Sequence, residues 1–253
     1  MKQLCSIKSK LRLIYTSPLL YLMMFLQISF VVIHINGYKT DAVSNYAYIL
    51  KNNFFMWLIC IPVMVLQHKV SIYSTYYSFI SRICRKRKMI LVDYITLAVS
   101  TCISTFIVLS VPLIFLILKN MALVGQEMFA DFLFFLMRYV LLGLLIQYII
   151  YSLIYAFPGL QKKGGSICVL PFLLYFVFTS PMEFLSAEGQ YLPFLDFSAG
   201  AGYVFVIDGV VLWGSIFFYN IHLVGYLVLV IWMTVVSASK RWEFWENESV
   251  SAL

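Results

Sequence analysis

Six runs of apolar residues, each long enough to cross a bilayer, alternate with shorter polar or charged segments along the chain: 17–36, 53–70, 90–118, 131–157, 165–182 and 214–238. Each reads as a membrane-spanning helix, because hydrocarbon offers no partner to backbone N–H and C=O groups and a helix satisfies them within one segment. The third run is long and contains Pro112, which predicts tilt or a kink, and Pro171 and Pro181 bracket the short fifth run. The pattern therefore predicts an all-α, polytopic membrane protein of six helices. An amphipathic segment at 1–16 precedes a transmembrane domain at 17–238, and a tail follows at 239–253.

Composition agrees with this pattern. Hydrophobic residues make up 62% of the 253 residues and charged ones 11%, where a soluble domain carries roughly a quarter charged. Six spans leave too little chain for a soluble catalytic domain of about 100 residues, so any energy source is expected on another protein. Cys5, Cys60, Cys84, Cys102 and Cys168 form no CxxC pair and have no histidine at ligand spacing, so free thiols are expected and neither disulfide nor zinc.

The charges set orientation. Lys and Arg exceed Asp and Glu by 18 to 11; on a soluble protein that excess could point to nucleic acid, but here it is topological and no nucleic-acid partner is expected. Fourteen of the eighteen fall at the N-terminus, in the second and fourth loops and in the tail, against three (Lys39, Lys51 and Lys119) in the alternate loops. Basic segments resist translocation, so both termini and the loops near residues 80 and 162 are expected in the cytoplasm. Lys2, Lys8, Lys10 and Arg12 before the first run resemble the start of a signal peptide. The run is too long, and Gly37, Tyr38 and Lys39 offer no cleavage site, so it is expected to stay as an anchor. Leu4, Ile7, Leu11 and Ile14 share one face ahead of it, which predicts a helix on the inner membrane surface.

Residues 191–213 are apolar but too short to cross, with only eleven residues between Asp196 and Asp208. An external re-entrant or interfacial hairpin is expected, with Gly200, Gly202 and Gly209 permitting the reversal. An apolar loop packed over the outer helix ends is the alternative.

The second cytoplasmic loop carries the richest pattern. From Lys69 to Arg85, Ser71, Ser74, Ser78, Ser81 and Arg85 recur at steps of three and four, and Val70, Tyr73, Tyr77, Ile80 and Cys84 repeat that step beside them. Such stripes predict an amphipathic helix with a hydroxyl face and an aromatic face. Tyr73, Tyr76, Tyr77 and Phe79 suit either an interfacial aromatic belt or a groove on a cytoplasmic partner. Arg85, Lys86, Arg87 and Lys88 form a basic cluster for the anionic inner leaflet, which positive-inside anchoring alone would explain.

Six spans with both ends inside, a basic N-terminal helix, an amphipathic helix between spans two and three and an external hairpin before span six resemble the permease subunits of type 2 ATP-binding-cassette (ABC) exporters. The local match is YYSFISRICRKRKMI, Tyr76 to Ile90, similar to the stretch that holds that family's coupling helix. The chain departs from the family at Gln67, His68 and Lys69, where many members carry an acidic residue and then a Gly. The resemblance implies that Tyr73, Tyr76, Tyr77, Ile80, Ser81 and Arg82 meet a separate ABC ATPase. It also implies that the ATP and Mg sit on that partner with no cofactor bound directly, and that a second copy or a different permease completes the path. It further implies a bacterial cell membrane, with the lipid bilayer itself as a partner.

Among ionisable residues in spans, Arg138 lies deepest, about 10 Å from the outer end. A charge there serves a substrate path, or it snorkels or pairs with Asp131 or Glu127. His34 and His222 near outer helix ends, and Asp93 beside Lys88, are read as interfacial polar residues. The acidic outer loops could attract a cationic substrate, but excluding positive charge from translocated loops leaves the same pattern. No GxxxxGK[ST], HExxH or GxSxG is present, so the chain is not expected to be an enzyme by itself. Two alternatives stay open: a non-transporting membrane protein for immunity, sensing or assembly, and an intramembrane enzyme built on His34, His222 and external aspartates.

Overall fold

The computed structural model describes residues 7–37, 42–52, 86–119, 125–156, 169–170, 173–174, 176–177, 197, 206–207 and 210–251. The first helix, α1 (Ile7–Tyr15), ends where Thr16 donates back to Arg12. Pro18 lacks an N–H to continue that ladder but suits the first position of a new helix, so the axis breaks at Thr16–Ser17 and α2 (Pro18–Gly37) begins. Next come the short α3 (Ala42–Lys51), α4 (Lys86–Lys119) and α5 (Gln126–Ala156). A hairpin of β1 (Val206–Ile207) and β2 (Val210–Val211) and the long α6 (Trp213–Ser251) complete the described elements.

The described residues are almost wholly helical, and among them four helices are long and apolar enough to cross a membrane: Pro18–Asn36, Ile90–Lys119, Gln126–Leu153 and Trp213–Val236. These correspond to the runs expected at 17–36, 90–118, 131–157 and 214–238, and the chain is a multi-pass membrane protein. The run at 53–70 and the Lys69–Arg85 helix lie outside the described residues. Of the run at 165–182, three helical fragments are described, in which Leu170 and Leu174 face the core while Val169, Leu173, Phe176 and Val177 are exposed.

The central helix is α5. Phe134, Phe135, Tyr139, Leu142, Leu145, Ile146 and Ile150 bury nearly every side of it, and α3, α4 and α6 pack around it. In contrast α2 is apolar all round and mostly exposed, as suits a helix facing lipid. Pro112 sits inside α4 without ending it. The ring removes one ladder hydrogen bond, from the Val108 carbonyl, and the neighbouring Leu109 carbonyl accepts from Tyr46 of α3 instead of relying on the ladder alone.

Side-chain pairs fix the sense of each helix. Asp93 with Tyr151, Thr101 with Gln147 and Phe106 with Phe132 make α4 and α5 antiparallel. Arg138 with Tyr219 and Ser152 with Thr234 make α5 and α6 parallel. Tyr15, just ahead of α2, reaches Ser100, and Asn36 meets Lys119, so α2 and α4 also run in the same direction. The strands pair Val206 with Val211 and Ile207 with Val210, and β2 rests on α5.

Candidate functional site

The bundle's buried polar groups concentrate at the end shared by α1, the start of α4 and the close of α5. Ile14 is buried against the bundle, and one turn earlier the same helix buries Lys10, 4% exposed. Its ammonium pairs with Asp93, which is fully buried, and Tyr151 donates its hydroxyl to the other carboxylate oxygen. Three elements thus meet on one carboxylate. Burial pushes the Lys10 ammonium down to about 8, so it is still charged at neutral pH.

The sequence reading of Asp93 as an interfacial polar residue did not foresee that it is fully buried, nor that Lys10 is buried with it. A fully buried carboxylate is tolerable only with a counter-charge, and α1 supplies it across 83 residues of sequence. No local spacing signals such a pair; the signal that could have found it is an isolated acid within a span.

A ladder of hydroxyls climbs from this node. Tyr94 and Thr234 both meet Ser152, joining α4, α5 and α6, and Tyr148 donates to the Tyr94 carbonyl. Higher up, Gln147 donates to Thr101 while its Oε1 is buried without a hydrogen-bond partner. Thr96, Ser100, Ser104 and Thr234 also return bonds to carbonyls of their own helices, which satisfies hydroxyls in a medium where water cannot.

Arg138 lies roughly 20 Å from Tyr151 along α5. Its guanidinium is fully buried and does not snorkel; it donates to the Tyr219 carbonyl of α6 at 3.1 Å. Glu127 is exposed, and Asp131 lies within electrostatic reach of Lys51 on α3. Toward the opposite end of the bundle His34 donates to the Phe30 carbonyl of its own helix, and His222 packs on Phe197 and Tyr226.

Of the expected partner-binding residues, Tyr73, Tyr76, Tyr77, Ile80, Ser81 and Arg82 lie outside the described residues, as does Arg85 of the expected basic cluster. The rest of that cluster, Lys86, Arg87 and Lys88, falls in the first turn of α4. Family models, curated proteins and solved structures were compared with the chain, and none matches.

Proposed function

We propose that this multi-pass protein is the permease subunit of an ATP-driven exporter, coupling hydrolysis on a separate ABC ATPase to outward movement of a hydrophobic, amphipathic or peptide cargo. The observation that carries the reading is the sense of the spans. Neighbouring α2 and α4 run parallel, and so do α5 and α6. A chain can lay two successive spans parallel only by recrossing between them. Residues 53–85 connect the far end of α2 and α3 to the start of α4, and residues 157–212 connect the far end of α5 to the start of α6. One return in each adds two crossings to four, at the runs 53–70 and 165–182. Six crossings put both termini on one side, the side to which the positive charges assign the cytoplasm.

In this reading the Lys69–Arg85 helix lies on the inner face and feeds directly into α4. Closure of the ATPases pushes it, and the displacement enters α4 at Lys86. Two turns on, Asp93 holds both α1 and α5, so the push reaches three elements through one buried carboxylate. The hydroxyl ladder then ties α4 to α5 and α6 along their length.

Affinity purification of the full-length chain from native membranes in mild detergent tests the proposal. An ABC ATPase is expected in the complex and is expected to be lost on Tyr77→Asp or Ile80→Asp. Asp93→Asn is expected to leave the ATPase bound while lowering ATP turnover of the reconstituted complex. A particle that transports without any ATPase, or an ATPase retained with both aspartate substitutions together, contradicts the reading.

A further inference from the structure

The inner and outer halves of the bundle differ in how tightly α4 and α6 approach each other. At the inner end they converge on Ser152 through Tyr94 and Thr234. Going outward they separate, and between them α5 exposes one stripe: Leu133, Leu136, Met137, Val140 and Leu141, spaced as one face of a helix. With Ile103 and Phe106 on the α4 wall and Trp213 and Phe217 on the α6 wall, this stripe floors an apolar groove of about 550 Å³. That volume falls within the roughly 300–1,000 Å³ usual for ligand pockets and exceeds several-fold the cavity of about 150 Å³ that accepts benzene.

Depth follows from helix register. Trp213 lies six residues outward of the Arg138–Tyr219 contact, roughly 9 Å, whereas α5 continues twelve residues, roughly 18 Å, to Gln126. The groove therefore opens sideways at the depth of hydrocarbon rather than upward to water. Its rim continues into lipid-facing surface, with Phe106 51% and Phe217 64% exposed. The chain ahead of the hairpin is seen at Phe197, against His222 and Tyr226, and His222 lies roughly 140° around α6 from Phe217. A dry apolar trough of this kind offers nothing to water or to a charged solute, and leaving it empty forfeits the dispersion contacts of its whole lining.

We infer that this groove is a binding site for one acyl chain of an outer-leaflet lipid, held against α5 by the walls of α4 and α6. The inference rests on membrane immersion and on the orientation that the positive charges assign, and not on a partner ATPase. A chain seated there is in contact with half-buried residues that the ordinary lipid annulus does not reach. The test uses the full chain in vesicles of phosphatidylethanolamine and phosphatidylglycerol containing a phospholipid with a diazirine in its acyl chain. After illumination, peptide mass spectrometry maps the adducts. Wild type should carry adducts at Leu133 and Met137 in the groove floor as well as at lipid-facing Val228 and Leu229. Leu136→Phe with Val140→Phe fills the floor and should abolish the floor adducts while those at Val228 and Leu229 persist. Ile103→Trp, which narrows the mouth from the exposed rim, should do the same and serves if the floor variant does not fold. An unlabelled floor in wild type, or floor adducts unchanged in Ile103→Trp, overturns the proposal. So does a floor protected from lipid together with a Cys102–Cys102 cross-link between two copies, which would make the groove a subunit interface.

Discussion

Lys10 and Asp93 carry more consequence than their number implies, because they are opposite charges paired with each other in a buried site. Removing one partner of a buried pair typically costs about 3–5 kcal/mol, whereas replacing both with apolar groups is often close to neutral. Lys10→Met is therefore expected to lower the melting temperature of the detergent-solubilised chain sharply, and Lys10→Met with Asp93→Leu to recover most of the loss; equal melting of the single and double variants would contradict the pairing. Arg138 stands on a different footing. Its guanidinium donates to a carbonyl, that of Tyr219 in α6, and a hydrogen bond to a charged group contributes about 1.5–3 kcal/mol. Arg138→Met should destabilise by that order in the same melting assay. The sequence made Arg138 conspicuous, since a basic residue deep in an apolar run is costly unless it snorkels or finds a partner. It hid Lys10, since a helical wheel of α1 shows an apolar face and a cationic remainder but not a carboxylate arriving from another span.

At the level of elements, spans were readable and short pieces were not. A run of about 20 apolar residues is imposed by bilayer thickness, so the ends of the apolar stretches in α2, α4 and α6 were legible to within a few residues, whereas the helical continuation of α6 to Ser251, past the expected end at 238, was not. No such constraint acts on α3, ten residues between two polar stretches, and a helix that short is marginal by itself. Tertiary contacts sustain it: Tyr46 donates to Leu109 of α4, Tyr139 of α5 donates to Leu50, and Asn45 donates to Ile35 of α2. Tyr46→Phe with Tyr139→Phe should raise hydrogen exchange in 42–52 markedly and leave α5 protected; unchanged exchange in α3 would show that the two tyrosines do not tether it. The strands at 206–211 were expected only as a reversal of apolar chain, because two-residue strands leave too few positions for a period of two to register. Within the ladder, Gln147 has one oxygen buried without a partner, so Gln147→Leu removes an unpaired acceptor along with one bond and should change stability by less than about 1 kcal/mol in thermal unfolding.

For the whole molecule, hydropathy and charge carried the architecture, and side-chain geometry carried direction. Hydropathy marks where a chain is able to cross but not how spans neighbour one another, so the adjacency of α2 with α4 and of α5 with α6 had no signature in the sequence, although six alternating spans already imply that each pair runs parallel. They turn four described spans into an argument for six. Within the proposed reading, the distribution of positive charges points to the same six-crossing arrangement with both ends in the cytoplasm. The two lines are independent, one resting on who touches whom inside the bundle and the other on where Lys and Arg fall along the chain. Their agreement is what lets the Lys69–Arg85 helix be placed, within the proposal, where an ATPase could push it.

Substituted-cysteine labelling of intact cells measures that arrangement directly. With single cysteines at Lys39, Asn120, Lys86 and Lys163 in an otherwise cysteine-free chain, a membrane-impermeant maleimide is expected to label positions 39 and 120 from outside. Positions 86 and 163 should react only after the membrane is opened. Labelling of 39 and 86 from the same side, or of 120 and 163 from opposite sides to those expected, would contradict six crossings and with them the route by which force is proposed to enter the bundle.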